Sequence, residues 1–356
     1  MSPGTWRGVI EEFREFLPVT RETPVVTLLE GNTPLVESRV LSARIGRRLL
    51  IKVEGANPTG SFKDRGMTVA ISKALEARSR AVVCASTGNT AASAAAYSAR
   101  AGLPCFVIVP AGGVAMGKMA QALVHGAEAV SVRGTFDDAM ELARTVTEQM
   151  SLTLVNSLNP HRLEGQKTVA FEICDALGRV PDLIALPVGN AGNITALWRG
   201  LAAYHERGRI AALPTLLGVQ AAGAAPLVEG RRIGVPQTVA SAIRGGKPAA
   251  RKPAGGAGQA SPGEFTKVTD EEILETQALL AREEGIFVEP ASATGVAGLL
   301  RRAAEGTLPD GEVAVAIVTG HGLKDVDTAL GRVRIPPPVR ASFESVARVI
   351  EGVIGR

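Results

Sequence analysis

The chain has 356 residues, with 39 Lys and Arg against 35 Asp and Glu, and its formal charge of +4 is dispersed along the sequence. No clustered basic block offers itself to nucleic acid or a membrane surface, and no apolar run reaches bilayer length. Cys84, Cys105 and Cys174 form no CxxC, and four histidines lack ligand spacing, so neither a disulfide framework nor a catalytic metal is expected. The N-terminus is acidic and aromatic without a hydrophobic signal core, which reads as a cytoplasmic protein. Aromatics are only 4% of the chain, leaving alanine and glycine to carry close helix–sheet packing.

From about residue 48 short apolar strands alternate with amphipathic or alanine-rich helices, the pattern of a parallel α/β architecture. A strand over 49–53 is followed by Asn57-Pro58-Thr59-Gly60, a turn by composition. Ser61 then reads as a helix N-cap, with Asp64 completing a capping-box pattern. That puts Lys63 in the first helical turn, where the macrodipole opposes a cation. If the amine is also desolvated, its pKa falls and it becomes a better nucleophile. A solvated lysine beside an aspartate fits the same residues.

The next strand, 81–85, ends in Ser86-Thr87-Gly88-Asn89-Thr90 and opens a helix over 90–100. The hydroxyls of Ser86, Thr87 and Thr90 and the helix-start N–H groups can clamp a carboxylate, and Asn89 can donate to a ring oxygen. A plain Ser/Thr-rich cap would look alike. Strands over 105–109, 129–132 and 152–156 follow, with helices over 136–150 and 162–177. The strand 183–187 then runs into Gly189-Asn190-Ala191-Gly192-Asn193 before a helix over 194–207. Converging N–H groups at that helix start suit a phosphate, although an ordinary βα turn is the alternative. The loop is neither GxGxxG nor Walker A, which argues against NAD and ATP.

Strands over 215–220 and 313–319 and a helix over 271–284 complete the alternation. The last strand closes on Val318-Thr319-Gly320-His321-Gly322, where the Thr319 hydroxyl can bond an aromatic ring nitrogen without protonating it. A strand-end turn with two glycines is the plainer account. Two stretches break the pattern. Residues 245–263 are rich in Gly, Ala and Pro and read as a flexible surface loop. After Pro336-Pro337-Pro338, a helix over 342–354 is expected outside the main body or on a partner subunit.

An amine for covalent attachment, a phosphate nest, a ring-oxygen donor and a neutral ring-nitrogen partner together match pyridoxal 5′-phosphate. With these motifs in this order the chain resembles the threonine synthase family, among the tryptophan-synthase-β-like pyridoxal-phosphate enzymes of fold type II. The likeness runs from Leu28-Leu29-Glu30-Gly31-Asn32-Thr33-Pro34-Leu35 to Gly320-His321-Gly322. It implies an α/β fold of two lobes, each a mostly parallel sheet flanked by helices. The larger, cofactor-binding lobe would take 1–57 and 155–356, and a smaller mobile lobe 58–154.

The resemblance also implies roles. Lys63, in Gly60-Ser61-Phe62-Lys63-Asp64-Arg65-Gly66, would bind the cofactor covalently, and Asn89 would contact its phenolic oxygen. Ser86, Thr87 and Thr90 would hold the substrate carboxylate, Gly189 to Asn193 the cofactor phosphate, and Thr319 the ring nitrogen. Asn156, Ser157 and Arg162 would hold the substrate's own phosphate. The implied reaction turns O-phospho-L-homoserine and water into L-threonine and phosphate, in a homodimer.

One segment departs from the family pattern: Ile243-Arg244-Gly245-Gly246-Lys247-Pro248 stands where relatives have an Ile-Gly-Asn-Pro type of sequence. The departure is expected not to touch the cofactor residues. The C-terminal residues leave no room for an ACT-like regulatory domain, so feedback control is not expected. A threonine/serine dehydratase or another β-replacing enzyme is the nearest alternative and would lack the second phosphate site. A non-catalytic anion- or nucleotide-binding module is the alternative of another class.

Overall fold

The computed structural model describes residues 5–111, 116–246, 263–333 and 335–354. Met1–Asp325 form one compact unit and Val326–Arg356 a second, smaller one. The first unit opens with α1 (Val9–Glu12), β1 (Leu35–Ser38), α2 (Arg39–Ile45) and β2 (Arg48–Val53). Next come α3 (Lys63–Glu76), β3 (Val82–Ala85), α4 (Asn89–Ala101), β4 (Cys105–Pro110) and α5 (Met116–Val124). They are followed by β5 (Glu128–Val132), α6 (Phe136–Met150), β6 (Thr153–Leu154), α7 (Pro160–Gln166) and α8 (Thr168–Leu177). The unit is completed by β7 (Leu183–Pro187), α9 (Gly192–Glu206), β8 (Thr215–Ala221), β9 (Gly263–Val268), α10 (Asp270–Glu283), α11 (Pro290–Ala304) and β10 (Val313–Val318).

Two sheets result, in the orders β1-β2-β10-β7-β8-β9 and β5-β4-β3-β6. Every ladder is parallel except β1 with β2. The central strands of the larger sheet are apolar throughout because both of their faces are covered. On β7, Ile184 and Leu186 pack with Phe171 of α8 and Leu197 of α9, whereas Leu183 and Ala185 pack with Val296 of α11. In the smaller sheet, Val82 and Cys84 join the buried alanines of α4, while Val83 and Ala85 meet Ala139 and Ala143 of α6. Small side chains let these helices lie close to the strands.

The strands read from sequence lie within a residue or two of those observed, with informative exceptions. The expected strand 152–156 contracts to Thr153–Leu154 because the Asn156 side chain takes over the pairing with Ala85. The expected helix 162–177 is two helices, parted at Lys167. Strand β9 was not anticipated. The loop expected over 245–263 lies outside the described residues, apart from Gly245, Gly246 and Gly263, the last already opening β9. Helix α11 escaped notice because Pro290 to Leu299 are all buried, leaving no polar face to mark a helical period.

A buried ion network anchors α3. The Arg65 guanidinium bonds the Glu54 carboxylate at 2.6 Å and Glu172 at 2.5 Å, and the Lys52 amine reaches Glu172 at 2.7 Å. Two cations face two carboxylates, so the cluster balances its own charge. Burial works to raise the Glu172 carboxyl, but Arg65 and Lys52 outweigh it and hold the pKa at about 2. Glu172→Gln strands two buried cations against one carboxylate. Breaking such a pair costs about 3–5 kcal/mol, so urea unfolding of the cofactor-free variant should show a lower midpoint with an unchanged slope.

In the second unit, α12 (Val326–Leu330) precedes α13 (Phe343–Ile354), close to the expected C-terminal helix. Phe343, Val346, Val349 and Ile350 of α13 are exposed.

Candidate active site

The turn after β2 is stitched to the end of β10. The Phe62 N–H donates to the Thr319 carbonyl at 2.9 Å, and the His321 N–H to the Gly60 carbonyl at 2.9 Å. Helix α3 begins at Lys63, but the expected capping box does not form. Phe62 occupies the cap without a side-chain bond, and the Ser61 hydroxyl is buried with no partner. Asp64 is drawn instead to Thr59, accepting from its N–H at 2.7 Å and its hydroxyl at 2.6 Å, and from the Ser93 hydroxyl at 2.6 Å. The turn folds back over the helix start, so Asp64 braces it rather than capping the helix.

The Lys63 amine stands 4.1 Å above the centroid of the Phe62 ring. Desolvation lowers its pKa to about 7, Arg162 pushes the same way, and Glu289 opposes. The fall that the sequence made conditional on desolvation is present, with burial its largest cause. Near neutral pH a large share of this amine is unprotonated.

Arg162 reaches Lys63 because α3 and α7 cross almost backbone to backbone. A Cβ on Gly66 would stand 2.6 Å from the Arg162 carbonyl oxygen, and one on Gly165 would collide with the Arg65 carbonyl. Asn159 caps α7, its side chain accepting from the His161 N–H at 2.9 Å, and Pro160 fills the first helical position. Arg162 is 2% exposed; one terminal nitrogen donates to the Val155 carbonyl at 3.2 Å, and its Nε has no partner. Among the described residues no carboxylate pairs with it. Burial lowers its pKa to about 10, still well above neutrality, so the site holds an uncompensated positive charge. A charge this deep calls for an anion.

The Ser86–Thr90 loop joins β3 to α4 and is partly exposed throughout. Asn156, expected on the substrate phosphate, pairs its amide with both backbone groups of Ala85, accepting from its N–H at 2.9 Å and donating to its carbonyl at 2.8 Å. It therefore holds the strand end from which this loop springs. Ser157 is exposed. Asn89 opens α4 and donates to the Glu289 carboxylate at 2.9 Å. Glu289 was not anticipated; its only signal in sequence is the Glu-Pro pair that starts α11.

The Gly189 to Asn193 loop turns into α9 through Ala191, whose φ of 62° is left-handed. A non-glycine residue there costs about 1–2 kcal/mol, strain of the kind found at ligand clamps. Gly189 abuts Ile243: an added Cβ would stand 3.0 Å from the Ile243 Cα. The divergent segment at Ile243 therefore packs under this turn and touches Gly189, one of the residues expected at the cofactor phosphate. A Cβ on Gly192 would lie 3.8 Å from Leu163, so the loop flanks α7 next to Arg162.

Thr319 is buried, and its hydroxyl lies 2.9 Å from that of Ser292 in α11. Ser292 in turn accepts from the Gly320 N–H at 2.7 Å. Lys63, Asn89, Thr319 and Arg162 thus meet where α3, α4, β10 and α7 converge. The unpartnered Ser61 hydroxyl and Arg162 Nε, the depressed amine and the strained helix start fit a phosphate-bearing aldehyde with an anionic substrate. Among the described residues no cluster of His, Cys, Asp or Glu could hold a metal ion, and no helix is long and apolar enough to cross a membrane.

A family model described as pyridoxal-phosphate dependent enzyme matches residues 26–320. The chain is 53% identical to the threonine synthase of Halalkalibacterium halodurans, over 95% of its own length and 96% of that protein. It is 57% identical to the threonine synthase of Synechocystis sp., over 91% of its length and 85% of that protein. Among solved structures, maize serine racemase aligns with a TM-score of 0.72 at 21% identity, covering 91% of this chain and 94% of that one. That last likeness speaks for the fold.

Proposed function

The chain belongs to the pyridoxal-phosphate-dependent enzymes, among the threonine synthases, and we infer that it makes L-threonine and phosphate from O-phospho-L-homoserine and water. It is a lyase. The observation that carries the substrate assignment is Arg162, buried near a lysine of depressed pKa and paired with no carboxylate among the described residues. In the reaction the Cγ–O bond breaks, water oxygen joins Cβ, and a proton moves on balance from Cβ to Cγ.

When bound, pyridoxal phosphate supplies an electron sink that eases proton removal from the α and β carbons. Lys63, its amine pKa depressed to about 7, would hold it covalently and would then carry protons at Cα and Cβ. The Gly189 to Asn193 helix start receives the cofactor phosphate. With the cofactor bound, the Asn89 amide would donate to the ring oxygen, and the Thr319 hydroxyl, backed by Ser292, would pair with the ring nitrogen. Ser86, Thr87 and Thr90 hold the substrate carboxylate with neutral donors. Arg162 binds the leaving phosphate; Asn156 and Ser157 are assigned there too, Asn156 acting through the loop it tethers.

The two-lobe division at residues 58–154 belongs to the same proposal, supported by β3 to β6 all lying in that span. A cytoplasmic setting is supported by three free, buried cysteines, and a homodimer by the exposed apolar residues of α13. The deciding assay follows phosphate release and threonine formation from O-phosphohomoserine. Preference for serine or threonine as substrate would sink the assignment.

Thr319→Asp tests the ring-nitrogen contact. A carboxylate favours a protonated ring and spreads negative charge into it, which a hydroxyl does not. Cofactor retention should change little, while the threonine yield falls and the share of side products rises. Product analysis by chromatography reads this directly, and an unchanged ratio counts against the contact.

A further inference from the structure

Glu289 has no part in the reaction as described. It precedes Pro290 at the start of α11, is 5% exposed, and ties its N–H to the Gly320 carbonyl at 3.1 Å. Its Oε1 accepts from Asn89 Nδ2 at 2.9 Å and would collide with a Cβ at Gly320, so the strand end leaves it no latitude. The charged groups around it come from other elements: Lys63 from α3, and Lys324 and Asp325 from the turn after β10. A carboxylate buried to this degree costs stability unless something uses it.

An asparagine amide can present either its oxygen or its nitrogen to a site, and a fixed acceptor decides which. With one Nδ2 proton given to Glu289, the second is left for a further acceptor. We propose that Glu289 is a positioning residue, fixing the Asn89 amide to donate to the cofactor's ring oxygen and placing a negative charge at the cofactor site that Lys63 shares. This rests on the reading of the site as a pyridoxal-phosphate site.

The test uses cofactor-free wild type, Glu289→Gln and Glu289→Ala, titrated with pyridoxal phosphate and followed by visible absorption. Two quantities are read: the dissociation constant and the pH dependence of the association rate. Gln keeps an acceptor for Asn89, so its dissociation constant should stay within about threefold of wild type. Ala removes the acceptor and should weaken binding about tenfold, the scale of one hydrogen bond.

The rate rises with pH as Lys63 loses its proton. Removing the neighbouring negative charge lowers that pKa, so both variants should reach half-maximal rate about one pH unit earlier. Burial also pushes the Glu289 carboxyl up to about 7, so the wild-type rise is spread over two coupled ionisations and narrows to one in Gln. Equal weakening by Gln and Ala, or a wild-type pH midpoint in Gln, overturns the proposal. If Ala does not fold, the Gln midpoint decides. Wild type that takes up no pyridoxal phosphate overturns the site reading and this proposal with it. Wild type that binds, with both variants matching it, overturns the proposal alone.

Discussion

Lys63→Ala lacks the visible absorption of lysine-bound cofactor and turns over O-phosphohomoserine more than about a thousandfold more slowly, since covalent attachment and proton transfer are lost together. The other buried or half-buried lysines are engaged elsewhere. Lys52 is held by Glu172 at 2.7 Å, Lys167 pairs with Glu164, and Lys324 donates to Gln121. Borohydride reduction of wild-type holoenzyme should therefore label the peptide containing Lys63, and a label on Lys167 would overturn the assignment. The fold should survive, for a reason that can be measured. Folding depresses this amine from 10.5 to about 7, so between those values the unfolded chain binds more protons than the native one. Its contribution disfavours folding below pH 7 and fades as pH rises toward 10.5. Cofactor-free wild type should thus gain stability over Lys63→Ala as pH rises from 7 to 9, with the alanine variant ahead at the lower pH. Urea midpoints at the two pH values check the sign.

What was legible in the sequence is what depends on local chemistry. The fully buried strands announce themselves as short apolar runs, and the Gly189 to Asn193 loop sits between strand and helix as its composition requires. Lys63 could be singled out because its turn and helix start lie within a few residues of it. The missing parts are those assembled by distant segments. Glu289 and Ser292 reach the site from α11, whose helix is too uniformly buried to show a period. Nothing local to Asn156 reveals that its amide also pairs with both backbone groups of Ala85. The capping box at Ser61 fitted the pattern but lost to Thr59, since the turn supplies Asp64 with an N–H and a hydroxyl together. Arg162 is singled out by the family resemblance alone, not by its spacing. Only the packing of Gly66 against Gly165 explains why it is buried beside Lys63.

That burial separates a substrate arginine from a structural one. Arg162→Ala should raise the KM for O-phosphohomoserine by about thirtyfold to nearly a thousandfold, because a charge-assisted contact to a desolvated phosphate contributes about 2–4 kcal/mol. An arginine serving the fold would lose stability on truncation. Here the charge has no carboxylate among the described residues, and its Nε has no partner, so the substrate-free variant should unfold no earlier than wild type. The spectrum of bound cofactor should persist, because its phosphate is assigned to the separate start of α9. Its pH dependence should move, however: Arg162 helps to depress the Lys63 amine, so removing it shifts the rise in cofactor uptake to higher pH. Any slow dehydration of serine or threonine should be nearly unaffected, since those substrates bring no phosphate. A variant that loses cofactor yet keeps its affinity for the phosphorylated substrate would put Arg162 at the wrong phosphate.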